Sequence, residues 1–235
     1  MSNCEKTTVE KHLHDLFCRF PVLQPLRTSL YEAIELLLKV LRGQGTIYLC
    51  GNGGSAADAE HIVGELRKGF LLPRPLPAAE RRKFLSASPE EDGDGDGSIL
   101  ADHLQRGLRA VSLVSSFSLN TAVANDRHPE LVFAQALYSL AAPHDALVAI
   151  STSGMARNVE LAARTAHATG IAVVGMTGES GGNLQPWCDV CLRVPERHTP
   201  RIQELHVPLY HTLCAALEEV VFGEKKHSAQ SVILP

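Results

Sequence analysis

The chain has 235 residues, 45% of them apolar, enough to bury a full core as one domain. Its 22 Lys and Arg against 26 Asp and Glu leave a net charge of −4, and the cations are scattered, so no basic stripe suited to nucleic acid is present. No run approaches the roughly 18 consecutive apolar residues of a membrane span, and the opening MSNCEKTTVEKHLHD is too polar for a signal peptide, so a cytoplasmic protein with no membrane partner is expected.

Residues 9–17 and 25–41 carry helical patterns separated at Pro21. In the second, Leu26, Leu30, Ala33, Ile34, Leu37, Leu38 and Leu41 form an apolar stripe read as an interface between subunits. The run 46–50 is β-branched and apolar, as in a buried parallel strand, and Gly51, Gly53 and Gly54 permit a tight turn after it. Ser55 then stands where a helix N-cap belongs. A helix over 56–68 follows, with Ala59, Ile62, Val63 and Leu66 on its apolar face and exposed amides at its start, where a phosphate would be attracted. The same helix places His61 and Glu65 four residues apart on one face, a pair able to bind a metal or move protons.

Pro73, Pro75 and Pro77 lead into AERRKFLSASPEEDGDGDGS, and the segment 71–98 reads as an insertion or flexible flap. Asp92, Asp94, Asp96, Gly97 and Ile99 match part of a calcium-binding loop, but His103 replaces the closing Glu, so a solvated acidic loop is the expectation. Strands at 110–114, 146–150, 171–176 and 190–194 alternate with helices at 118–124, 131–140 and 157–168, with Asn125, Asp126, His128 and Pro129 breaking the first of these. This order implies an α/β fold with a five-stranded parallel sheet, helices on both faces and a site at the carboxyl ends of the strands. STSG at 151–154 lies at one such end, and 177–182 is a polar loop.

The last element, 200–222, is a long helix with a kink expected at Pro208. Gln203 and His211 are eight residues apart, about 80° around a helix, so both can face one cavity. His206 points elsewhere and is read as structural. The six cysteines, at 4, 18, 50, 188, 191 and 214, lie mostly in apolar runs and are expected as buried thiols in a reducing compartment. Cys188 and Cys191 form a CxxC, but without a second pair, and with a strand running through CDVCLRV, neither metal nor redox use is expected of them.

GNGGSAADAEHIVGEL at 51–66, the AND of 124–126, STSG at 151–154, and RIQELH at 201–206 followed by His211 together resemble the SIS-domain phosphoheptose isomerases. The resemblance extends from the N-terminal helices, 1–43, to the last helix, and is interrupted by the insertion. It implies a single SIS domain with a three-layer fold and an aldose-ketose isomerase acting through an enediol on sedoheptulose 7-phosphate and D-glycero-D-manno-heptose 7-phosphate. It also implies Zn²⁺ held by His61, Glu65, Gln203 and His211, where the ion would polarise the substrate carbonyl. Glu65 and His211 take the roles of base and acid. Ser55, Ser151, Thr152 and Ser153 resemble the phosphate cradle, and Asn52, Gly53, Asn125 and Asp126 would hold sugar hydroxyls, with Gly54, Glu65 and Gln203 also against the substrate. The family forms homotetramers with sites shared between subunits.

Two departures stand out. STSGMA replaces the usual STSGNS, so Met155 and Ala156 remove an amide and a hydroxyl, and Pro200 replaces an Asp that some members carry before Arg-Ile-Gln. A lost neutral hydrogen bond costs about 1 kcal/mol, which weakens a site without abolishing it. The competing reading is a noncatalytic SIS protein that binds a sugar phosphate or a partner, like the replication-initiator-associating homologues. A DNA-binding regulator is disfavoured by the lack of a helix-turn-helix extension or a basic surface.

Overall fold

Five strands form in the computed structural model, which describes residues 1–86 and 96–223. They are β1 (Ile47–Cys50), β2 (Ala110–Ser112), β3 (Ala146–Ile150), β4 (Ala172–Thr177) and β5 (Val190–Arg193). All pairings are parallel and the order is β2-β1-β3-β4-β5. Every residue of β1 and β3 is buried, as expected of parallel strands covered on both faces. Side chains alternate between two cores: Ile47, Leu49, Val148 and Ile150 face one, and Tyr48, Cys50, Leu147 and Ala149 the other.

The first core is closed by α1 (Asn3–Arg19), α2 (Arg27–Arg42), α3 (Gly54–Arg67) and α9 (Thr199–Phe222), and the second by α7 (Val132–Leu140) and α8 (Arg157–Ala168). A capping box starts α1: Ser2 Oγ accepts from the Glu5 amide at 3.4 Å, and the Glu5 carboxylate accepts from the Ser2 amide at 2.7 Å. A 3₁₀ turn, Pro21–Leu26, separates α1 from α2.

The apolar stripe of α2 is a correction to the sequence reading. Leu26, Leu30, Ala33, Ile34, Leu37 and Leu38 are buried within this same chain, packed with β1, β5 and α9. An amphipathic pattern reports that a face is covered, and here the cover is the sheet.

Other boundaries moved for local reasons. Asn125 and Asp126 do not break a helix but end α6 (Phe117–Asp126) as its last turn. The break falls at Arg127 (φ −129°, ψ −93°) and at His128, whose extended conformation is the one favoured before a proline. β2 ends at Ser112 rather than at Val114. No interruption occurs at Pro208: α9 runs through it for 24 residues, and the Thr212 hydroxyl donates to the Pro208 carbonyl at 2.8 Å. Of the cysteines only Cys50 and Cys214 are buried; Cys4 and Cys18 sit on exposed positions of α1 and its end, and Cys188 and Cys191 are half-buried.

The described part of the insertion is helical, with α4 (Ala78–Ser86) packed on α5 (Asp96–His103). Asp92 and Asp94 lie outside the described residues, while Asp96, Gly97 and Ile99 belong to a helix instead of a coordinating loop. The root of the insertion is fixed by a fully buried ion pair. The Glu218 carboxylate accepts from Arg74 Nε at 2.7 Å and from the amides of Phe70, Leu71 and Leu72 at 2.8, 2.7 and 3.1 Å. Arg74 in turn donates to the carbonyls of Leu66 and Glu65, at the end of α3. Both charges are thus fully partnered, which offsets their desolvation.

Arg74→Leu strands the Glu218 charge, and chemical denaturation is expected to show a loss of about 3–5 kcal/mol. His206 is wholly buried, with Nε2 3.3 Å from the Thr177 carbonyl and Nδ1 without a hydrogen-bond partner. Burial lowers its pKa from 6.5 to about 4. The unfolded chain therefore takes up a proton that the folded chain refuses, so stability from His206 is full above 6.5 and is lost as the pH falls towards 4. Urea midpoints measured across this window should fall more steeply for the native chain than for His206→Gln.

Candidate active site

The chain leaves β1 for β2 on one side and β3 on the other, so a crevice opens above the carboxyl ends of β1 and β3. The turn after β1 reaches α3 through Gly53, whose φ of 55° is unfavourable for side-chain-bearing residues. Gly53 occupies the N-cap position, and Ser55 lies buried in the first turn, so Ser55 is not the expected cap. The amides of Ser55, Ala56 and Ala57 are not exposed donors either; they bond back to the carbonyls of Asn52 and Gly53.

Across the crevice, Ser151 is buried with its amide on the Met176 carbonyl, and Ser153 Oγ accepts from the Met155 amide at 3.1 Å. Asn52 and Asn158 clasp the two sides together through reciprocal amide bonds of 2.8 and 2.9 Å. Nothing in the composition flags Asn158, because its role depends on the first turn of α8 meeting the loop after β1.

Thr152, Ser153, Met155, Arg193, Arg197 and Ile202 line a cavity of about 700 Å³. Met155 is 55% exposed, so the departure from the family pattern puts a thioether on the cavity wall. Ala156 is the N-cap of α8 and supplies no side-chain cap. Pro200 lies in the first turn of α9, where a fixed φ and a missing N–H are tolerated, so the helix keeps its start while the chain loses a carboxylate.

Beside the crevice, α3 and α9 pack against one another. A side chain on Gly54 would stand 2.3 Å from Gln203 Nε2, so only glycine lets the two helices approach here. Two turns further on, His61 meets Tyr210 and His211. His61 Nδ1 is 3.1 Å from the Tyr210 hydroxyl, which donates to Asp58 Oδ1 at 3.3 Å, and His61 Nε2 is 3.2 Å from Glu65 Oε1. The His61 and His211 rings meet edge-on with centroids 5.1 Å apart, and Phe70 covers His211 at 5.6 Å.

These contacts fix the orientation of His61: Nδ1 lies against the Tyr210 hydroxyl and Nε2 against the Glu65 carboxylate. Glu65 Oε2 is buried without a hydrogen-bond partner, and Lys68 Nζ stands 3.7 Å away. Burial holds the pKa of His211 below the usual imidazole range, and the charge of His61 adds to this. Burial likewise raises Asp58 and Tyr210.

Of the four residues assigned to a metal, the structure brings His61, Glu65 and His211 together. Gln203 has its amide against Gly54, seven residues and about 10 Å of helix rise before His61. Among the described residues no three His, Cys, Asp or Glu side chains form a ready cluster for an ion. The donor chemistry nevertheless fits a borderline cation, since one imidazole meets both a second imidazole and a carboxylate with an orphaned buried oxygen. Asn125 and Asp126 are exposed at the end of α6 and bond to each other at 2.7 Å instead of to this cluster. Asp58 and Tyr210 escaped the sequence reading, although Asp58, His61 and Glu65 share one helical face.

A parallel sheet with two glycine-turned loops at its switch point, and a carboxylate and imidazoles beside them, defines an isomerase with a SIS-type fold. A SIS domain family model matches residues 21–81. The chain is 36% identical over 196 residues to the phosphoheptose isomerase of Helicobacter pylori strain P12, covering 83% of this chain and 86% of that one. It is 32% identical over 216 residues to the phosphoheptose isomerase of Trichlorobacter lovleyi, covering 92% and 94%. Among solved structures, phosphoheptose isomerase from Neisseria gonorrhoeae superposes with a TM-score of 0.66 at 31% identity, over 91% of this chain and 98% of that one. The protein from Francisella tularensis, at 24% identity and the same TM-score, supports the fold alone. The chain belongs to the phosphoheptose isomerase family.

Tyr210→Phe removes the hydroxyl that joins Asp58 to His61. Asp58 is half-buried and His61 exposed, so water replaces part of what is lost, and the loss of stability is expected at about 0.5–1.5 kcal/mol in urea unfolding.

Proposed function

We propose that this protein interconverts sedoheptulose 7-phosphate and D-glycero-D-manno-heptose 7-phosphate through an enediol. The observation that carries the reading is the Glu65 carboxylate, with a buried oxygen free of hydrogen bonds, beside His61, whose ring meets that of His211. Glu65 takes the proton from the carbon beside the carbonyl and returns it to the neighbouring carbon. His211, neutral because burial lowers its pKa, donates its N–H to the substrate oxygen where negative charge develops. A neutral imidazole suits this role, since it stabilises the enediolate without handing over a proton too early.

Thr152, Ser153 and the two arginines of the cavity wall, Arg193 and Arg197, are the groups best placed to take the phosphate, with Ser55 and Ser151 behind them. Asn52, Gly53, Asn125 and Asp126 are proposed to hold the sugar hydroxyls, the last two from a neighbouring subunit of a homotetramer, because in their own chain they bond to each other. Zn²⁺ is proposed at His61, Glu65, Gln203 and His211, with Gln203 swung away from Gly54; bound there it would act as a Lewis acid on the carbonyl. The cytoplasm is the proposed compartment, since six free cysteines suit reducing conditions. Among the described residues, no helix is long and apolar enough to cross a membrane.

One observation favours a binding protein instead: Met155 puts an apolar group where a polar one would face the ligand. Incubation with sedoheptulose 7-phosphate separates the two readings. The isomerase reading expects aldose phosphate, a fall in kcat of about 10²–10⁴ in Glu65→Gln and in His211→Ala, and loss of activity on chelation that zinc restores. Tight ligand binding without turnover, with zinc supplied, would leave only the binding protein.

A further inference from the structure

The CxxC that the sequence reading set aside has a geometry that the isomerase site does not use. Cys188 follows the short 3₁₀ turn Gln185–Trp187, and Cys191 lies in β5, an edge strand of the sheet. Three residues apart in a regular strand, two side chains would point to opposite faces. Here both sulfurs converge over Gly175 of β4: a methyl group placed there would stand 2.5 Å from Cys188 Sγ and 3.2 Å from Cys191 Sγ. The missing side chain of Gly175 is the space that the two thiols fill.

Their surroundings differ. Cys188 Sγ lies 3.4 Å from the Leu184 carbonyl, to which it donates. Cys191 lines a separate cavity of about 380 Å³, with Leu26, Glu32, Arg193 and Pro195 among its walls, and its sulfur is 3.8 Å from the Thr177 hydroxyl. Of the two, Cys191 is the one that lines a cavity beside a hydroxyl and a guanidinium.

We propose that Cys188 and Cys191 form an exchange-active dithiol that reacts with low-molecular-weight disulfides, Cys191 attacking and Cys188 resolving. The Cys191 thiolate attacks one sulfur of the disulfide R–S–S–R; its S–S bond breaks, one thiolate leaves, and Cys191 carries the mixed disulfide. Cys188 then gives its proton to the departing thiolate and attacks Cys191 Sγ, expelling the second thiolate, which takes a proton from water. The two cysteines lose two electrons and two protons in total, and the small disulfide is reduced to two thiols. The adjoining Cys188 thiol, helped by Thr177 and the charge of Arg193, holds the Cys191 thiol down to about 7 against the opposing effect of burial. The same contact, with burial, pushes Cys188 upwards, the pattern expected of an attacking and a resolving thiol.

The test uses the full chain with the exposed Cys4 and Cys18 changed to Ser, treated with glutathione disulfide, quenched with iodoacetamide and mapped by peptide mass spectrometry. The expected product is a peptide with Cys188 joined to Cys191, two hydrogens lighter than its reduced form and restored by dithiothreitol. Cys188→Ser should stop at a glutathione adduct on Cys191, whereas Cys191→Ser should leave Cys188 open to alkylation. The unsubstituted chain, treated with limiting glutathione disulfide, gives the same reading without relying on the fold of any variant, and there the 188–191 bond should form ahead of modification at Cys50 or Cys214. A stable mixed disulfide that never resolves, or no reaction at Cys191 under conditions that modify Cys4 and Cys18, overturns the proposal.

Discussion

The contact between α3 and α9 is the constraint on which the site depends. Gly54 against Gln203 sets how closely the helices approach at one end, and His61 against Tyr210 and His211 sets it at the other. The two helices run side by side in the same direction, so residues seven apart on one meet residues seven or eight apart on the other. Because α3 starts at the carboxyl end of β1 and α9 packs on the first core, the cluster is held at a fixed height above the sheet. Lateral precision of this kind is what a proton transfer between carbon and oxygen requires.

The far end of α3 is secured by charge. Arg74 caps carbonyls of Glu65 and Leu66, and Glu218 of α9 gathers Arg74 with three backbone amides. One ion pair therefore ties the last turn of α3, the root of the insertion and the C-terminal half of α9 to one another. The carbonyl that Arg74 holds belongs to Glu65 itself, so a structural network reaches the proposed base through one residue's backbone. The helical pair α4 and α5 is attached at this point, with α4 burying none of its side chains.

Polar groups around His61 divide the labour. Asp58 and Tyr210 occupy its Nδ1 side, leaving Nε2 to face Glu65, so the ring is held in one orientation. The crevice opposite is kept in register by the Asn52–Asn158 clasp, which uses on one side Asn52, a side chain that the sequence pattern assigns to ligand. The departures at Met155, Ala156 and Pro200 fall at the cavity wall and at two helix starts, away from the α3–α9 contact.

Periodicity and turn chemistry determined the five strands, their parallel order and the helices between them, because a buried strand and an amphipathic helix each leave a local signature. The pairing of His61 with Glu65 was legible for the same reason: a helix brings residues four apart together whatever surrounds it. Only the tertiary structure decided what covers the α2 stripe, since an apolar face looks alike against a sheet or a second subunit. Tyr210, Asp58, Asn158 and the Arg74–Glu218 pair were invisible as partners, because they join residues more than a hundred positions apart and depend on which helical face meets which. The convergence of Cys188 and Cys191 over Gly175 is of the same kind. A strand repeat predicts that they diverge, and only the turn before β5 and an absent side chain on its neighbour bring them together.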